Sequence, residues 1–468
     1  MSKVWVLDKW YGGLSTGTKV GVSGSFAAGR GLDIYTDPDL LSVNRRTTLD
    51  SGATVTDLVK WQKKLGTSSF FYGNTGRLYN RTAAGVWALD RSVGASSGNG
   101  LEVFNSILYY SRDAFLGSRT AAGVFNDAVV ALNNDADWHP LKSFLNVLAV
   151  GNGNTLSTLS TANVLTNAFS LPAGLKIKCL EVVGDYLAIG AWSGATITEN
   201  DEGYLFFWDG VATTYNSYIT VKESGVNALI YDDNQLIVFA GTKGNFYVAT
   251  GSELIKLKRL PGIGTSYADV WPGAVTRWNG RTHFGVSGET GSATMIQGVY
   301  SWGSVEKNYP AVLNLEYPIS TGTTTGTTLQ IGSVGAMSPT ELFIGWRDGA
   351  SFGVDLVSTT TPFASATYES VVFDGGNPFQ GKVFYKEKVT MAPLPTNTTV
   401  AVAYRTDRNT AYTTIGTITG DGAMTEFVFF EHIVANAIQF RLTLSVSAGT
   451  AAPQISSVSF EYDDTSDV

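Results

Sequence analysis

A chain of 468 residues with 52 glycines, 12% aromatic and only 15% charged side chains is too apolar and aromatic to be disordered. It is also too long for one growing core, so repetition or several domains are expected. A formal charge of −8 and a pI near 5.0 exclude a surface that wraps nucleic acid throughout, and a lone cysteine, Cys179, excludes an intrachain disulfide.

The N-terminus, Met1-Ser2-Lys3-Val4-Trp5-Val6-Leu7-Asp8, lacks the apolar stretch and small-residue cleavage site of a signal peptide, and no later window is long and apolar enough to span a bilayer. The expectation is a soluble protein made in a cytoplasm, without membrane insertion. Residues 1–53 carry glycine-punctuated segments, Trp10-Tyr11-Gly12-Gly13 and Gly24 to Tyr35, followed by Asp37-Pro38-Asp39. They read as an extended arm that supplies a ring-closing strand.

From 54 to 375 one phrase recurs: an alternating, aromatic-rich strand that ends at glycine or another small residue. Its copies are Phe70-Phe71-Tyr72-Gly73, Leu108 to Ser111, Leu148 to Gly151, Tyr186 to Gly190, Leu236 to Gly241, His283 to Gly288 and Leu342 to Gly345. The closing residues recur at about 38 to 57 residues, near the length of a four-stranded propeller blade. A second strand often follows, as in Gly76-Arg77-Leu78-Tyr79 and Gly203 to Gly210, while Val226 to Ile230 and Ala274 to Gly280 precede it as inner strands. The copies around 111 to 170 are degenerate, so the expected count is about seven blades, with six or eight also open.

The Thr321 to Thr328 tract reads as a flexible loop. Beyond it, Lys382 to Met391, Thr398 to Tyr404, Tyr412 to Ile418, Glu426 to Phe430, Ala437 to Val446 and Ile455 to Tyr462 alternate between turn signals. They predict a β-sandwich module over 380–468. The fold class is therefore all-β: a β-propeller with an N-terminal extended arm and a C-terminal β-sandwich.

Residue types that could carry chemistry are dispersed. Asp57, Asp113, Asp185, Asp232, Asp233 and Asp269 fall in separate repeats and read as turn residues, since a glycosidase needs two carboxylates facing each other. His139, His283 and His432 lie far apart, and the Ser-x-Asp-x-Gly-x-x-Trp boxes of sialidase-like propellers are missing. Asn133-Asn134-Asp135-Ala136-Asp137 alternates like a calcium loop but lacks the glycine and the bidentate glutamate. No phosphate-binding GxxxxGK[ST] element occurs. Cys179 reads as a buried, inert thiol, and Lys60-Trp61-Gln62-Lys63-Lys64 as a solvated strand edge. Trp61, Trp87, Trp192, Trp208, Trp278, Trp302 and Trp346 are expected to pack between blades; Trp346, in Trp346-Arg347-Asp348-Gly349, is the best candidate for exposure and sugar stacking. No catalytic, cofactor-binding or metal-ligating residue is assigned.

An arm with Gly12-Gly13, Lys19-Val20-Gly21 and Ser25-Phe26, a propeller with Tyr72-Gly73-x-x-Gly76-x-Leu78-Tyr79, and a sandwich with Val400 to Asp407 together resemble the propeller-bearing tail, nozzle or neck proteins of tailed bacteriophages. The resemblance implies a non-enzymatic structural part of a virion, without cofactors. Its partners would be other virion proteins and copies of itself in a ring or spike, with no sequence-specific nucleic acid. The rival readings are an adhesin for a host surface glycan and, third, a propeller enzyme that degrades polysaccharide.

Overall fold

The computed structural model describes residues 2–15, 23–94, 97–134, 138–193, 202–261, 268–288, 296–326, 328–407, 409–420 and 425–465, apart from the side chains of 430 and 431. Lys19-Val20-Gly21 and Asp135 to Asp137 lie outside them. Secondary structure is entirely β: among the described residues there is no helix, so no helix is long and apolar enough to cross a membrane. The chain divides into two compact units: one takes residues 1–48, 300–318 and 357–468, the other 49–299 and 319–356.

The second unit is a β-propeller. Its seven inner strands are Val59–Leu65, Gly98–Phe104, Leu141–Phe144, Leu175–Val183, Val226–Asp232, Val275–Trp278 and Leu329–Ser338. Each packs on the next in chain order, and Leu329–Ser338 packs back on Val59–Leu65, which closes the ring. Five of the sheets are complete four-stranded meanders within this unit. The seventh takes its outermost strand, Arg45–Leu49, from the N-terminal segment. Supplying the last strand from the other chain end removes an open edge.

Local sequence explains the hairpins. Asn105-Ser106, Asp233-Asn234 and Asn279-Gly280 join inner strands to second strands with positive φ at both positions, the conformation that matches the strand twist. Alternation then sends one face of each sheet into one neighbour and the other face into the next. The apolar clusters accordingly lie between sheets: Phe144, Leu156 and Phe169 meet Ile177, Ile189 and Phe206, and on the other side Leu205 and Val221 meet Val226 and Val238. Each buried Leu, Ile or Phe contributes about 1.5–3 kcal/mol.

The closing glycines of the repeated phrase sit where the next sheet presses in. A Cβ on Gly345 would lie 2.4 Å from Ser333 Oγ and 2.9 Å from the Val59 carbonyl oxygen of the first sheet. A glycine there admits that approach where any side chain would clash.

The first unit contains the sandwich. One sheet has the order Lys3–Leu7, Ile455–Asp464, Lys382–Met391, Glu426–Ala435; the other has Phe26–Arg30, Ser365–Ser370, Ile438–Val446, Thr398–Thr406, Thr413–Thr419. The N-terminal segment therefore gives a strand to each sheet of the sandwich. Aromatic residues drive this docking: Trp5 stacks on Phe373 at 4.3 Å, Trp10 meets Tyr368 at 5.2 Å, and Phe440 meets Phe460 across the sheets at 5.6 Å. The threonine and glycine tract is held by hydrogen bonds, since the Thr324 carbonyl accepts from Gln297 N at 2.6 Å and Thr321 Oγ1 donates to Asp348 at 2.9 Å.

Candidate functional site

The propeller channel is built by a recurrent irregularity. In five inner strands one residue is extra to the register, and these β-bulges place Lys60, Asn99, Lys178, Asn227 and Gly332 at equivalent positions near the start of the strand. A bulge turns its extra residue away from the ladder and re-aims the side chain. Opposite each bulge stands the small end of the second strand, such as Gly73, Ser111, Gly190, Ala240 and Gly345.

At this level two lysines are seated on indole rings. Lys60 Nζ lies 4.4 Å from the Trp271 centroid and 5.9 Å from that of Trp138, while Lys178 Nζ lies 4.7 Å from Trp138 and 5.5 Å from Trp192. Ring quadrupoles attract cations most strongly where water is scarce. Lys178 is buried, and it donates to Asn227 Oδ1 at 2.8 Å with Asp269 Oδ2 at 3.7 Å. Asn227 is in turn fixed by donating to the Gly241 carbonyl.

Deeper along the strands, four consecutive sheets contribute alternating charges: Lys63, Glu102, Lys142 and Glu181. The pairs close at 2.8 Å for Lys63–Glu102 and 2.7 Å for Lys142–Glu181. Each glutamate also accepts the next backbone N–H, Val103 at 3.0 Å and Val182 at 2.9 Å, which holds the carboxylates in matching orientations. Burial disfavours the Lys63 charge, but Glu102, with a smaller contribution from Glu181, outweighs it and raises the ammonium above its usual range. The other three sheets line the channel with less polar groups such as Leu229, Thr276 and Met337, around a cavity of about 240 Å³.

The basic run 60–64 thus lines the channel as the inner strand of the first sheet, instead of facing bulk solvent as a strand edge. Its alternation gave no sign that Lys60 and Lys63 meet groups from other sheets. Trp138, Trp271 and Lys178 were not marked by the sequence either, because only the ring brings them together.

The dispersed carboxylates serve structure, some within a sheet and some, as Asp232 and Asp269, between sheets. Asp57 accepts from Tyr79 Oη at 2.7 Å and from Thr75 N at 2.9 Å; Asp113 accepts from Ser97 N at 2.9 Å; Asp232 accepts from Thr282 Oγ1 at 2.7 Å. Asp185 and Asp233 are exposed at turns. His139 is buried, with Nδ1 2.9 Å from the Gly151 carbonyl and Nε2 3.0 Å from that of Asp113. His283 is buried beside Trp278, whereas His432 is exposed. Among the described residues no three His, Cys, Asp or Glu side chains form a group that could hold a metal ion. Cys179 is buried, and that burial pushes its thiol up to about 12.

Trp346 corrects an expectation: it is buried and donates to Asp355 Oδ1 at 2.8 Å, while the turn after it is on the surface. Residues 342–346 are buried on both faces of the sheet, and Trp346 is the last of that run. Trp87, of the first sheet, donates to Asp50 beside the outer strand of the seventh at 2.7 Å, and Trp208 donates to the Ala212 carbonyl in the turn after its own strand at 2.8 Å.

No known protein family matches the chain, and no characterised protein matches it in sequence. Among solved structures, the extracellular domain of a hybrid two component system from B. thetaiotaomicron is similar with a TM-score of 0.49 at 12% identity, over 73% of this chain and 43% of that one. The computationally designed Ika8 protein gives 0.43 at 14% identity over 75% and 99%. The N-terminal domain of Nup159 gives 0.40 at 10% identity over 70% and 99%. At these scores and identities no function is carried over from them.

Proposed function

We propose that this chain is a non-enzymatic structural component of a tailed-bacteriophage virion, placed in a tail, nozzle or neck assembly and partnered by other virion proteins and by copies of itself. The observation that supports this reading is the mutual commitment of the channel's ionisable groups. Lys63 is bound to Glu102, Lys142 to Glu181, and Lys178 to Asn227 between indole faces. Groups so paired brace neighbouring sheets against one another, whereas acid–base catalysis calls for a group left ready to exchange a proton with a substrate. Lys60 of the first sheet and Lys178 of the fourth both lie against the Trp138 ring, so in this reading an exit path for the genome runs between copies of the chain and not through its propeller.

The test is mass spectrometry of gradient-purified particles of a phage that encodes the chain, together with native mass spectrometry of the purified protein. The chain is expected in the particles at a fixed copy number and as a closed oligomer in isolation. Particles that lack it would overturn the reading. Glycan recognition stays as the second reading because of a tyrosine-lined groove, which stands on its own observations.

A further inference from the structure

A groove of about 660 Å³ opens beside the outer strands of the fourth propeller sheet, Gly203–Trp208 and Ser217–Val221. Strand alternation builds its floor. Leu205 and Phe207 face the fifth sheet, so Tyr204 and Phe206 point the other way, and the register sets Phe206 directly opposite Tyr218. Phe206 is buried in the core shared with the third sheet and anchors the surface, while Tyr218 is 54% exposed. Tyr204 lies 5.8 Å from Phe206 at an interplanar angle of 24°, and Tyr215 stands edge-on to Tyr218 at 85°. The facing wall is the turn Pro172-Ala173-Gly174, and Glu202 sits at the rim.

We propose that this groove binds a neutral pyranose unit of a glycan, with Tyr218 as the stacking platform and Glu202 accepting from sugar hydroxyls. Three features fix the chemistry. The groove has the size of a small-ligand site and a lining of four aromatic rings, apolar groups and a few polar ones. Among the described residues, the hydroxyls of Tyr204, Tyr215 and Tyr218 make no hydrogen bond within the chain, so they are available to a polyhydroxylated ligand. The only formal charge in the described lining is the Glu202 carboxylate, with no Lys or Arg. That charge disfavours phosphate, uronate or sialate, and single-stranded nucleic acid, which stacks on aromatics only within a basic groove. A pyranose offers what remains: an apolar face of C–H bonds for the ring and hydroxyls for the phenols and the carboxylate.

The site stands whether or not the chain is a virion part, because sugar binding and particle incorporation are read separately. The test uses the full chain with maltotriose, cellotriose, chitotriose and mannotriose as probes, by saturation-transfer NMR and calorimetry. At least one is expected to bind, with affinity falling about tenfold or more in Tyr218→Ala and in Tyr204→Ala and less in Glu202→Gln. Tyr186→Ala, at the exposed start of the second strand of the same sheet, is expected to leave binding unchanged. Near-UV circular dichroism checks that the variants keep the native fold, and Glu202→Gln, a surface change, keeps the test decisive if an alanine variant fails to fold. Failure of all four probes, binding unaffected by all three groove variants, or a preference for polygalacturonate or a proline-rich peptide would overturn the proposal.

Discussion

Gly190 of the fourth propeller sheet and Val226 of the fifth meet so closely that a methyl group on Gly190 would lie 2.7 Å from Val226 Cγ1, and 2.4 Å from Cys179 Sγ. Gly190→Ala is therefore expected to destabilise the propeller by about 1–3 kcal/mol, the range for overpacking a tight interior. Denaturant titration of the variant, followed by tryptophan fluorescence, checks this. An unchanged midpoint would mean that the two sheets separate easily.

Lys178→Met removes the cation that faces Asp269. The side chains are 4% and 15% exposed, so the variant leaves a largely buried carboxylate without its counter-charge. A loss of about 3 kcal/mol is expected, at the lower end for breaking a buried pair. Lys178→Met combined with Asp269→Asn is expected to recover part of it, and the double-mutant cycle measures the coupling.

Acid stability has a local contribution at Asp127. Its carboxyl is held below the usual carboxylate range by hydrogen bonding to Arg91, against the effect of partial burial, with Tyr110 adding a hydrogen bond at 2.5 Å. A carboxyl lowered in the folded state stabilises the protein above its unfolded pKa of about 3.9, and that contribution is lost as pH falls through the folded value. The difference in melting temperature between the native chain and Asp127→Asn is expected to be full near pH 6 and to shrink on acidification below about pH 4. A difference independent of pH would contradict the assignment.

Cys179 offers a chemical readout. A buried thiol pushed up to about 12 has almost no thiolate at pH 8, so a disulfide reagent should fail to label the native protein. One equivalent is expected to react in guanidinium. Rapid native labelling would show that the fourth sheet opens locally.

The sequence carried most strands of the sandwich and the second strand of each propeller sheet, whereas outer strands such as Phe125–Ala131 were not marked and Glu426–Ala435 runs five residues past Phe430. Lys382–Met391 was legible from its alternation, and Thr398–Thr406 and Ile455–Asp464 end within two residues of the bounds read from alternation and turn signals. Phe70 to Gly73 was legible for a further reason: a local rule, an aromatic run ended by a small residue, mirrors the contact that the second sheet makes on Gly73 through Gly98. Lys60, Trp138, Lys178 and Trp271 were illegible as a group. Each is ordinary in its own segment, and their cation–π contacts join residues far apart in the chain.

Trp346 shows the same division from the other side. Beside Arg347 and Asp348 it reads as part of a surface turn, yet it ends a strand segment buried on both faces and bonds to Asp355.

By itself, the chain's alternation of aromatic and small residues determined a closed, repeating β architecture and a sandwich, because strand period and turn chemistry are written over a few residues. The tertiary structure alone decided where the N-terminal strands dock, which charges pair in the channel and which tyrosines open onto a groove. Those outcomes depend on register and ring closure between distant strands, and a one-residue bulge is enough to move a side chain from a ladder into a site.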